Sequence, residues 1–302
     1  MLTSFSAEEV LNGVEPDFIP AHQAFCRRLL HPVTLCSPFM HRTFQKPLGY
    51  AGDYEMVDMM FRDPFEGSSL FAKMLNAYAL QLPPIIGHRN RIRYLTTKLE
   101  EESLRGTIEK RSTRVLSIGC GPAREVQQFL IESNLADNMS FTLVDFDKET
   151  LEHTDNVLHE LKKRFQRRIQ IKTLKRSVFQ IVKDFERNGS YSLSEQYHFI
   201  YCAGLFDYLS DQMCRQLVEI FYAMLLPNGL LVVTNVDDHP ARNQMECFLD
   251  WHLVYRNTDK MKRLIPEMSD PQNVLIKRDS TGANVLMEIS KPNSEYPHSK
   301  QS

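Results

Sequence analysis

The chain has 302 residues, with a hydrophobic share of 42% and a charged share of 25%, values typical of an ordinary soluble protein of one or two domains. Its net charge of −2 gives no overall attraction to nucleic acid or membranes, and no apolar run is long enough to span a bilayer. The six cysteines lack CxxC or zinc spacing, and the N-terminus lacks the features of a secretion signal. We therefore expect a cytoplasmic protein without a metal ion, stable membrane insertion or a nucleic-acid partner; the oligomeric state is left open.

Residues 1–110 carry helical periodicities broken by proline-rich punctuation. The spacing predicts helices over 21–30 and 70–82, and a third from residue 85 to 101. A turn-rich loop lies between the first two, with the sequence Lys46-Pro-Leu-Gly-Tyr-Ala-Gly-Asp-Tyr-Glu-Met-Val57. This part of the chain is predicted to be a helical region distinct from the remainder.

From residue 114 onward, strand-like and helix-like segments alternate, which predicts a parallel sheet covered by helices. Strands are expected at 114–119, 140–145, 168–173, 197–202 and 229–236, and helices at 123–134, 148–165, 177–187 and 211–225. Two further strands, 273–278 and 284–289, are joined by a five-residue link that contains a glycine, which is typical of an antiparallel hairpin. The predicted fold is α/β, with five parallel strands in a Rossmann-like sheet, a C-terminal antiparallel hairpin and a flexible tail at 292–302.

A Gly-x-Gly turn at Gly119 and Gly121 comes after the first strand, and the next strand ends in Asp145. Glycines let a backbone approach a ligand closely, and an acid at the end of the second strand accepts ribose hydroxyls in open α/β sheets. Arg124 stands where a dinucleotide turn has its third glycine, and the turn lacks a Gly-Lys-Ser/Thr sequence after it. The pattern favours a phosphate-free nucleoside cofactor such as S-adenosylmethionine.

Four motifs in this order carry a family resemblance: the Gly-Cys-Gly-Pro turn, the strand ending in Asp145, the segment Tyr197-His-Phe-Ile-Tyr-Cys-Ala-Gly204, and Leu225-Leu-Pro-Asn-Gly-Leu-Leu-Val-Val. Over residues 112–291 the chain resembles class I S-adenosylmethionine-dependent methyltransferases. It departs from them at two positions. Ser117 stands where the family carries an acid that meets the cofactor's ammonium, and Ala123 replaces a glycine.

The resemblance implies S-adenosylmethionine as cofactor, S-adenosylhomocysteine as product, and a set of cofactor-binding residues. In this set Asp145 holds the ribose, Phe146 packs on the adenine, Ser177 and Val178 meet its edge, and the residues after the fourth strand form the pocket floor. The implied residues are Ser117, Gly119, Gly121, Asp145, Phe146, Ser177, Val178, Cys202, Ala203 and Gly204. The offset of Asp147 fits helix capping better than ribose binding.

Three further segments are similar to a bacterial subfamily named for synthesis of 3-hydroxypalmitic acid methyl ester, a quorum-sensing signal. They are residues 46–56, His88-Arg-Asn-Arg-Ile-Arg-Tyr94 and Leu249-Asp-Trp-His-Leu-Val-Tyr-Arg256. The resemblance implies carboxyl O-methylation of a 3-hydroxy fatty acid by a domain of residues 111–291, with residues 1–110 as a cap that binds an apolar or lipid-like acceptor. The alternatives are a natural-product O- or N-methyltransferase and a catalytically idle cofactor-binding regulator. Methylation of nucleic acid is disfavoured because Ala203-Gly-Leu-Phe replaces an Asn/Asp-Pro-Pro-aromatic motif.

Candidate residues for the amino-acid end of the cofactor and for the acceptor come from charge and spacing. Arg89 and Arg93 share one helix face, whereas Arg91 points elsewhere and is the candidate clamp for a carboxylate. Helical spacing over 243–256 predicts a helix that carries His252 on an apolar stripe, where the alternative to catalysis is a core histidine. Tyr54 and His252 are the catalytic candidates, and the acceptor candidates are Tyr50, Tyr208, Tyr255 and Arg256.

A basic run over residues 162–176 contains eight lysines and arginines. Such a run could dock an acidic carrier protein or nucleic acid. Because the whole-chain charge is balanced, we expect a solvated face instead.

Overall fold

The computed structural model describes residues 15–188 and 195–293. They form two compact units: a helical unit of residues 15–89, 238–253 and 281–283, and a sheet unit of residues 90–188, 195–237, 254–280 and 284–293. This division differs from the predicted boundary at residue 110, because 90–108 belong to the sheet unit and 238–253 to the helical unit. Most of the predicted tail, 294–302, lies outside the described residues.

The secondary-structure elements are numbered in chain order. The helices are α1 (Ile19–Thr34), α2 (Pro38–Gln45), α3 (Tyr54–Met59), α4 (Leu70–Ala79), α5 (Pro83–Ile108), α6 (Arg124–Glu132), α7 (Lys148–Arg164), α8 (Val178–Asn188), α9 (Asp211–Met224), α10 (Arg242–Leu249) and α11 (Thr258–Lys262). The strands are β1 (Thr113–Ile118), β2 (Met139–Asp145), β3 (Gln170–Lys175), β4 (Tyr197–Cys202), β5 (Leu225–Val236), β6 (Val274–Arg278) and β7 (Asn284–Ser290).

The seven strands form one mixed sheet in the order β3-β2-β1-β4-β5-β7-β6. Strands β1 to β5 are parallel, and β7 pairs antiparallel with both β5 and β6. The fold class predicted from the sequence, five parallel strands and then an antiparallel hairpin, is therefore confirmed.

The central strands are apolar because both of their faces are covered. Successive residues of β1 point to opposite sides: Val115 packs in one core cluster with Phe141 and Phe199, whereas Leu116 packs in another with Ile200. Near-continuous apolar runs of this kind are typical of parallel strands between two helical layers.

Strand β3 lies at one edge of the sheet and differs from the predicted span 168–173 by two residues. Helix α7 ends at Arg164, Gln166 adopts a left-handed φ of 53°, and the Arg168 amide donates to Asp137, so the strand begins only at Gln170. Lys172 and Lys175 are exposed on it. Lysines on an edge strand oppose pairing with another strand, which supports the interpretation of residues 162–176 as a solvated face.

The helical unit has its own core, and side-chain caps begin three of its helices. Ser37, Asp53 and Ser69 accept hydrogen bonds from the first turns of α2, α3 and α4. The buried core residues are Phe39, Ala51, Met56, Val57, Met59, Met60, Ala79, Leu80, Ile85, Met245, Leu249 and Trp251. The second chain segment, 238–253, thus contributes to the same core as residues 15–89.

Candidate cofactor site at the carboxyl edge of the sheet

The strand order reverses at β1, because the chain proceeds outward from it through β2 and β3 on one side and through β4 and β5 on the other. In open α/β sheets, ligands bind in the crevice outside the carboxyl ends of the strands at such a switch point. The carboxyl ends of β1, β2 and β4 are Ile118, Asp145 and Cys202, and they lie at the same edge. The predicted cofactor residues other than Ser117 and Arg91 lie at or just after the ends of β2, β3 and β4, or in the turn after β1.

The turn after β1 is held by its own backbone. The amides of Gly119 and Cys120 donate to the Val144 carbonyl at 2.8 and 3.0 Å. Gly119 and Gly121 both have left-handed φ values, 66° and 51°, which glycine adopts without strain. A Cβ on Gly119 would lie 3.1 Å from Leu205, whereas a Cβ on Gly121 would meet nothing within 4 Å. The backbone at Gly121 therefore borders open space in which a ligand could lie.

Asp145 is buried, with 7% of its surface exposed, and backbone amides orient it. The Gly121 amide donates to one carboxylate oxygen and the Asp147 amide to the other, both at 3.0 Å. Burial raises the pKa of Asp145, and these amides oppose that shift. Asp147 instead caps α7 by accepting from the Thr150 amide at 2.7 Å, which confirms its predicted capping role.

The residues predicted on the adenine side come after β2 and β3, which are neighbours in the sheet. Phe146 is 48% exposed directly after Asp145. The Arg176 amide donates to the Asp145 carbonyl, which ties the end of β3 to the end of β2. Ser177 and Gln180 exchange hydrogen bonds at the start of α8, the Ser177 amide donating to the Gln180 side chain and the Gln180 amide to the Ser177 hydroxyl. Val178 is buried beside them.

The end of β4 consists of Cys202, Ala203 and Gly204, of which Cys202 is fully buried. Burial raises the pKa of its thiol well above the ordinary value, so the thiol is not a reactive thiolate. Gly204 has a φ of 85°, and its amide donates to the Thr234 hydroxyl at 3.2 Å. A Cβ there would lie 2.7 Å from the Arg91 guanidinium, so the arginine lies close to the backbone at a position that has no side chain.

Arg91 is 5% exposed, which separates it from Arg93 on the exposed surface of the same helix. Its Nη1 lies 3.9 Å from a carboxylate oxygen of Asp207, and burial lowers its pKa. Asp207 is itself buried and accepts from the Val236 amide at 2.6 Å. The structure thus places a buried guanidinium against the backbone at the end of β4.

The sequence does not predict a role at this edge for two buried residues, Glu125 and Tyr201. Glu125, in the first turn of α6, is 4% exposed and accepts a 2.8 Å hydrogen bond from the phenol of Tyr201 in β4. Burial raises the pKa of Glu125, while the phenol and the charge of Arg91 oppose the shift. An acid in the first turn of a helix has an ordinary explanation in the helix dipole, so nothing in the local sequence singles it out.

Arg256 lies fully buried beside the loop after β4. It donates to the Asn235 side chain, to the carbonyls of Phe206 and Leu209, and to Asp211, at 2.6 to 2.8 Å. All three guanidinium nitrogens are engaged inside the chain. This is the arrangement of an arginine that holds a loop. The acceptor-side role of Arg256 stays a prediction.

The other tyrosines predicted on the acceptor side of the sheet unit differ in exposure. Tyr208 is 41% exposed after β4, whereas Tyr255 is buried, with 7% of its surface exposed. These values leave Tyr208 the more accessible of the two.

The predicted helix over 243–256 is wrong in its second half. Helix α10 ends at Leu249, and Asp250 adopts a left-handed φ of 51°. Lys46 and Arg27 both bind the Asp250 carboxylate, and Lys46 also binds its carbonyl. His252 therefore does not lie on an apolar stripe: its side chain is 60% exposed, and Nε2 lies 3.3 Å from Asp250. It is not a core histidine either.

In the Gly-Tyr-Ala-Gly-Asp-Tyr loop of the helical unit, Asp53 makes the contacts that hold the loop to neighbouring residues. Asp53 is 2% exposed, caps α3, and binds Arg42 through both carboxylate oxygens at 2.9 and 2.8 Å. Tyr50 and Tyr54 on either side are half-buried. Asp53 thus has a structural role, and the two tyrosines remain the candidates of this loop.

Two features are absent from the described ranges, 15–188 and 195–293. No helix in them is both long and apolar enough to cross a membrane. They also contain no group of three or more histidine, cysteine, aspartate or glutamate side chains that could hold a metal ion.

Comparisons with known proteins agree with the fold. No protein-family model and no curated protein sequence matches the chain. A solved structure described as a possible exported protein from Bordetella parapertussis has a TM-score of 0.64 at 16% identity and covers 93% of this chain and 100% of that chain. At this identity the likeness establishes a shared fold.

Two named methyltransferases are more distant. Magnesium protoporphyrin IX methyltransferase from Synechocystis PCC 6803, solved with bound SAH, has a TM-score of 0.49 at 9% identity over 78% of this chain and 93% of that one. N-methyltransferase NodS from Bradyrhizobium japonicum WM9 has a TM-score of 0.45 at 16% identity over 83% and 100%. The chain's own sheet order, with its antiparallel seventh strand, is the α/β arrangement predicted from the sequence.

Proposed function

We propose that this chain is an S-adenosylmethionine-dependent methyltransferase that acts on a small apolar acceptor, with the carboxylate of a 3-hydroxy fatty acid as the best candidate. The observation that carries the proposal is Asp145, a buried carboxylate fixed by the amides of Gly121 and Asp147 at the switch point of the sheet. Each carboxylate oxygen retains acceptor capacity beyond these bonds, which suits the paired hydroxyls of a ribose.

The residues around Asp145 fit the remaining parts of this cofactor. Open space at Gly121 admits a ligand against the backbone, and the half-exposed ring of Phe146 offers a face for an adenine. Ser177 and Val178 would meet the adenine edge, and Cys202, Ala203 and Gly204 would form the pocket floor. Arg91 would bind the methionyl carboxylate through its guanidinium. When bound, S-adenosylmethionine supplies an electrophilic methyl group to a nucleophilic acceptor atom.

With a carboxylate as the acceptor, the protein does not need a general base. At neutral pH the acid is already ionised, so no side chain needs to remove a proton. The chain's residues would then orient the acceptor oxygen and exclude water, effects that can supply several kcal/mol. A hydroxyl or amine acceptor would instead require a general base.

On the acceptor side, we propose Tyr50, Tyr208 and Tyr255 as contacts and Tyr54 and His252 as the groups that donate to the acceptor or accept a proton from it. His252 is the more accessible of these two. The methionines Met56, Met59 and Met60, whose apolar character suits an acyl chain, lie in the core of the helical unit. Their presence is therefore accounted for by folding, and support for a lipid acceptor comes from the subfamily resemblance.

The test is calorimetry with S-adenosylmethionine and S-adenosylhomocysteine on three proteins: wild type, Asp145→Asn and Asp147→Asn. Both variants remove one negative charge, but asparagine keeps the helix cap at 147. We expect micromolar binding by the wild type, a loss on the order of 100-fold at 145 and little change at 147, since hydrogen bonds to a charged group are worth about 1.5–3 kcal/mol each.

Transfer of a labelled methyl group to 3-hydroxy fatty acids of several lengths then tests the acceptor. An ester product supports the proposed reaction. Transfer only to hydroxyl or amine compounds would favour a natural-product methyltransferase, and binding without any transfer would favour a cofactor-binding regulator. No cofactor binding by the wild type would contradict the proposal altogether.

A further inference from the structure

We propose that Glu125 binds the ammonium group of the cofactor's methionyl moiety, supplying from α6 the negative charge that Ser117 does not provide from β1. This inference rests on the proposed function and adds a binding residue to it. It is carried by the position of Tyr201, which lies beside Ser117 in the sheet and donates a hydrogen bond to Glu125.

Ser117 and Glu125 are connected through Tyr201. Ser117 and Tyr201 are register partners in the adjacent strands β1 and β4, so their side chains lie side by side on one face of the sheet. The Tyr201 phenol in turn donates to Glu125 at 2.8 Å. All three residues are at most 4% exposed. The Glu125 carboxylate is therefore separated from Ser117, near the end of β1, by the Tyr201 phenol. It lies next to the turn of residues 119–123.

The surroundings of Glu125 suit a cationic ligand. The Tyr201 phenol, which is neutral, donates a hydrogen bond to the Glu125 carboxylate. A buried carboxylate is costly unless a charged partner balances it. An ammonium group has three donors and a full positive charge, which match that requirement.

Two buried acids, Asp207 and Glu125, are candidates for binding the ammonium group, and their existing partners differ. Asp207 already accepts from the Val236 amide and lies 3.9 Å from Arg91. The charges of Arg91 and Arg124 both act on Glu125, so two arginines face the two acids Glu125 and Asp207. The amino-acid end of the cofactor is a zwitterion, so its carboxylate can bind Arg91 while its ammonium binds Glu125.

The experiment compares ligands that differ only in the amino group. Wild-type protein and Glu125→Gln are titrated calorimetrically with S-adenosylhomocysteine and with its deaminated analogue, 5′-deoxy-5′-(3-carboxypropylthio)adenosine. Glutamine keeps an acceptor for the Tyr201 phenol while it removes the charge. We expect the variant to bind S-adenosylhomocysteine at least about 10-fold more weakly and to bind the deaminated analogue within about threefold of wild type.

Two further variants control for folding and for nonspecific charge effects. Glu102→Gln makes the same change at an equally buried carboxylate of the sheet unit, outside the crevice, and should leave both affinities unchanged. Glu125→Asp retains the charge on a shorter side chain, and its loss should again be confined to S-adenosylhomocysteine. This variant also serves if Glu125→Gln does not fold, which thermal melting will show.

The outcomes separate this inference from the proposed function. Equal losses for both ligands would mean that Glu125 has a structural role, and an unchanged affinity for S-adenosylhomocysteine would mean that the ammonium binds elsewhere; either result overturns the assignment and leaves the methyltransferase proposal standing. Failure of the wild type to bind S-adenosylhomocysteine overturns both.

Discussion

Buried charges occupy two regions of the sheet unit, and their partners differ. At the carboxyl edge between β1 and β4, Glu125 receives a side-chain hydrogen bond from a neutral phenol. Beside the end of β5, Arg256 donates to two carbonyls, an amide side chain and a carboxylate within the chain. The burial is similar, but in the second region the protein itself supplies the complete set of partners.

The difference shows that burial alone does not mark a ligand site. A charge whose hydrogen bonds and countercharge are complete within the fold stabilises that fold, whereas one that retains acceptor capacity toward a crevice can serve a ligand. Arg256 holds the loop after β4 in place, and that loop includes Asp207, which lies 3.9 Å from Arg91. The first region therefore depends on the second for its geometry.

The largest expected effect is on stability, from Arg256→Met. Removing the guanidinium leaves the carbonyls of Phe206 and Leu209 and the Asn235 side chain without their donor. We expect a loss of about 3–5 kcal/mol in the free energy of unfolding, measured by urea denaturation. Arg256→Lys keeps the charge but cannot reach all these acceptors, so it should lie between wild type and Arg256→Met. A loss under about 1 kcal/mol for the methionine variant would show that the network is not a stabilising clamp.

A smaller effect is expected at Glu102, a buried carboxyl outside the crevice whose pKa burial raises to about 7. Arg105 donates to it at 2.6 Å. Because the pKa in the folded state lies above the unfolded value, Glu102 favours folding most below the unfolded pKa, and that contribution is lost as pH rises through about 7. Glu102→Gln does not ionise. It should therefore gain stability relative to wild type as pH increases.

The expected gain between pH 5 and pH 8.5 is about 2 kcal/mol, measured by denaturation at both values. Glu101→Gln, at an exposed neighbouring position, should show no such pH-dependent difference. If the stability difference between Glu102→Gln and wild type were the same at both pH values, the raised pKa would be ruled out, and Glu102 would join Arg256 as a charge fully balanced by its partners.

The sequence predicted the features of the crevice that depend on short stretches of chain. Gly119, Gly121 and Asp145 stand out because a turn needing left-handed backbone and a strand-end acid are visible within a few residues. Asp147 was assigned as a helix cap for the same reason. The alternation of apolar segments was enough to predict the parallel sheet and the final hairpin.

What the sequence did not predict depends on distant contacts. The apolar spacing after Met245 continues to Tyr255, yet α10 ends at Leu249 because Lys46 and Arg27, about 200 residues earlier, hold Asp250 in a left-handed conformation. Glu125 becomes a candidate binding residue only because the fold places Tyr201 of β4 within hydrogen-bonding distance of it. No local window of sequence contains either contact.

The smallest effect on stability is expected for a substitution of His252. The effect of the same substitution on kcat distinguishes a carboxylate acceptor from a hydroxyl or amine acceptor. The side chain is 60% exposed, so His252→Ala should change the free energy of unfolding by no more than about 0.5 kcal/mol. With a carboxylate acceptor no base is required, so loss of a hydrogen bond from His252 should lower kcat by no more than about tenfold. A fall on the order of 100-fold would instead identify His252 as a general base and the acceptor as a hydroxyl or amine. His159→Ala, at another exposed histidine, is the matched control and should leave both stability and kcat unchanged.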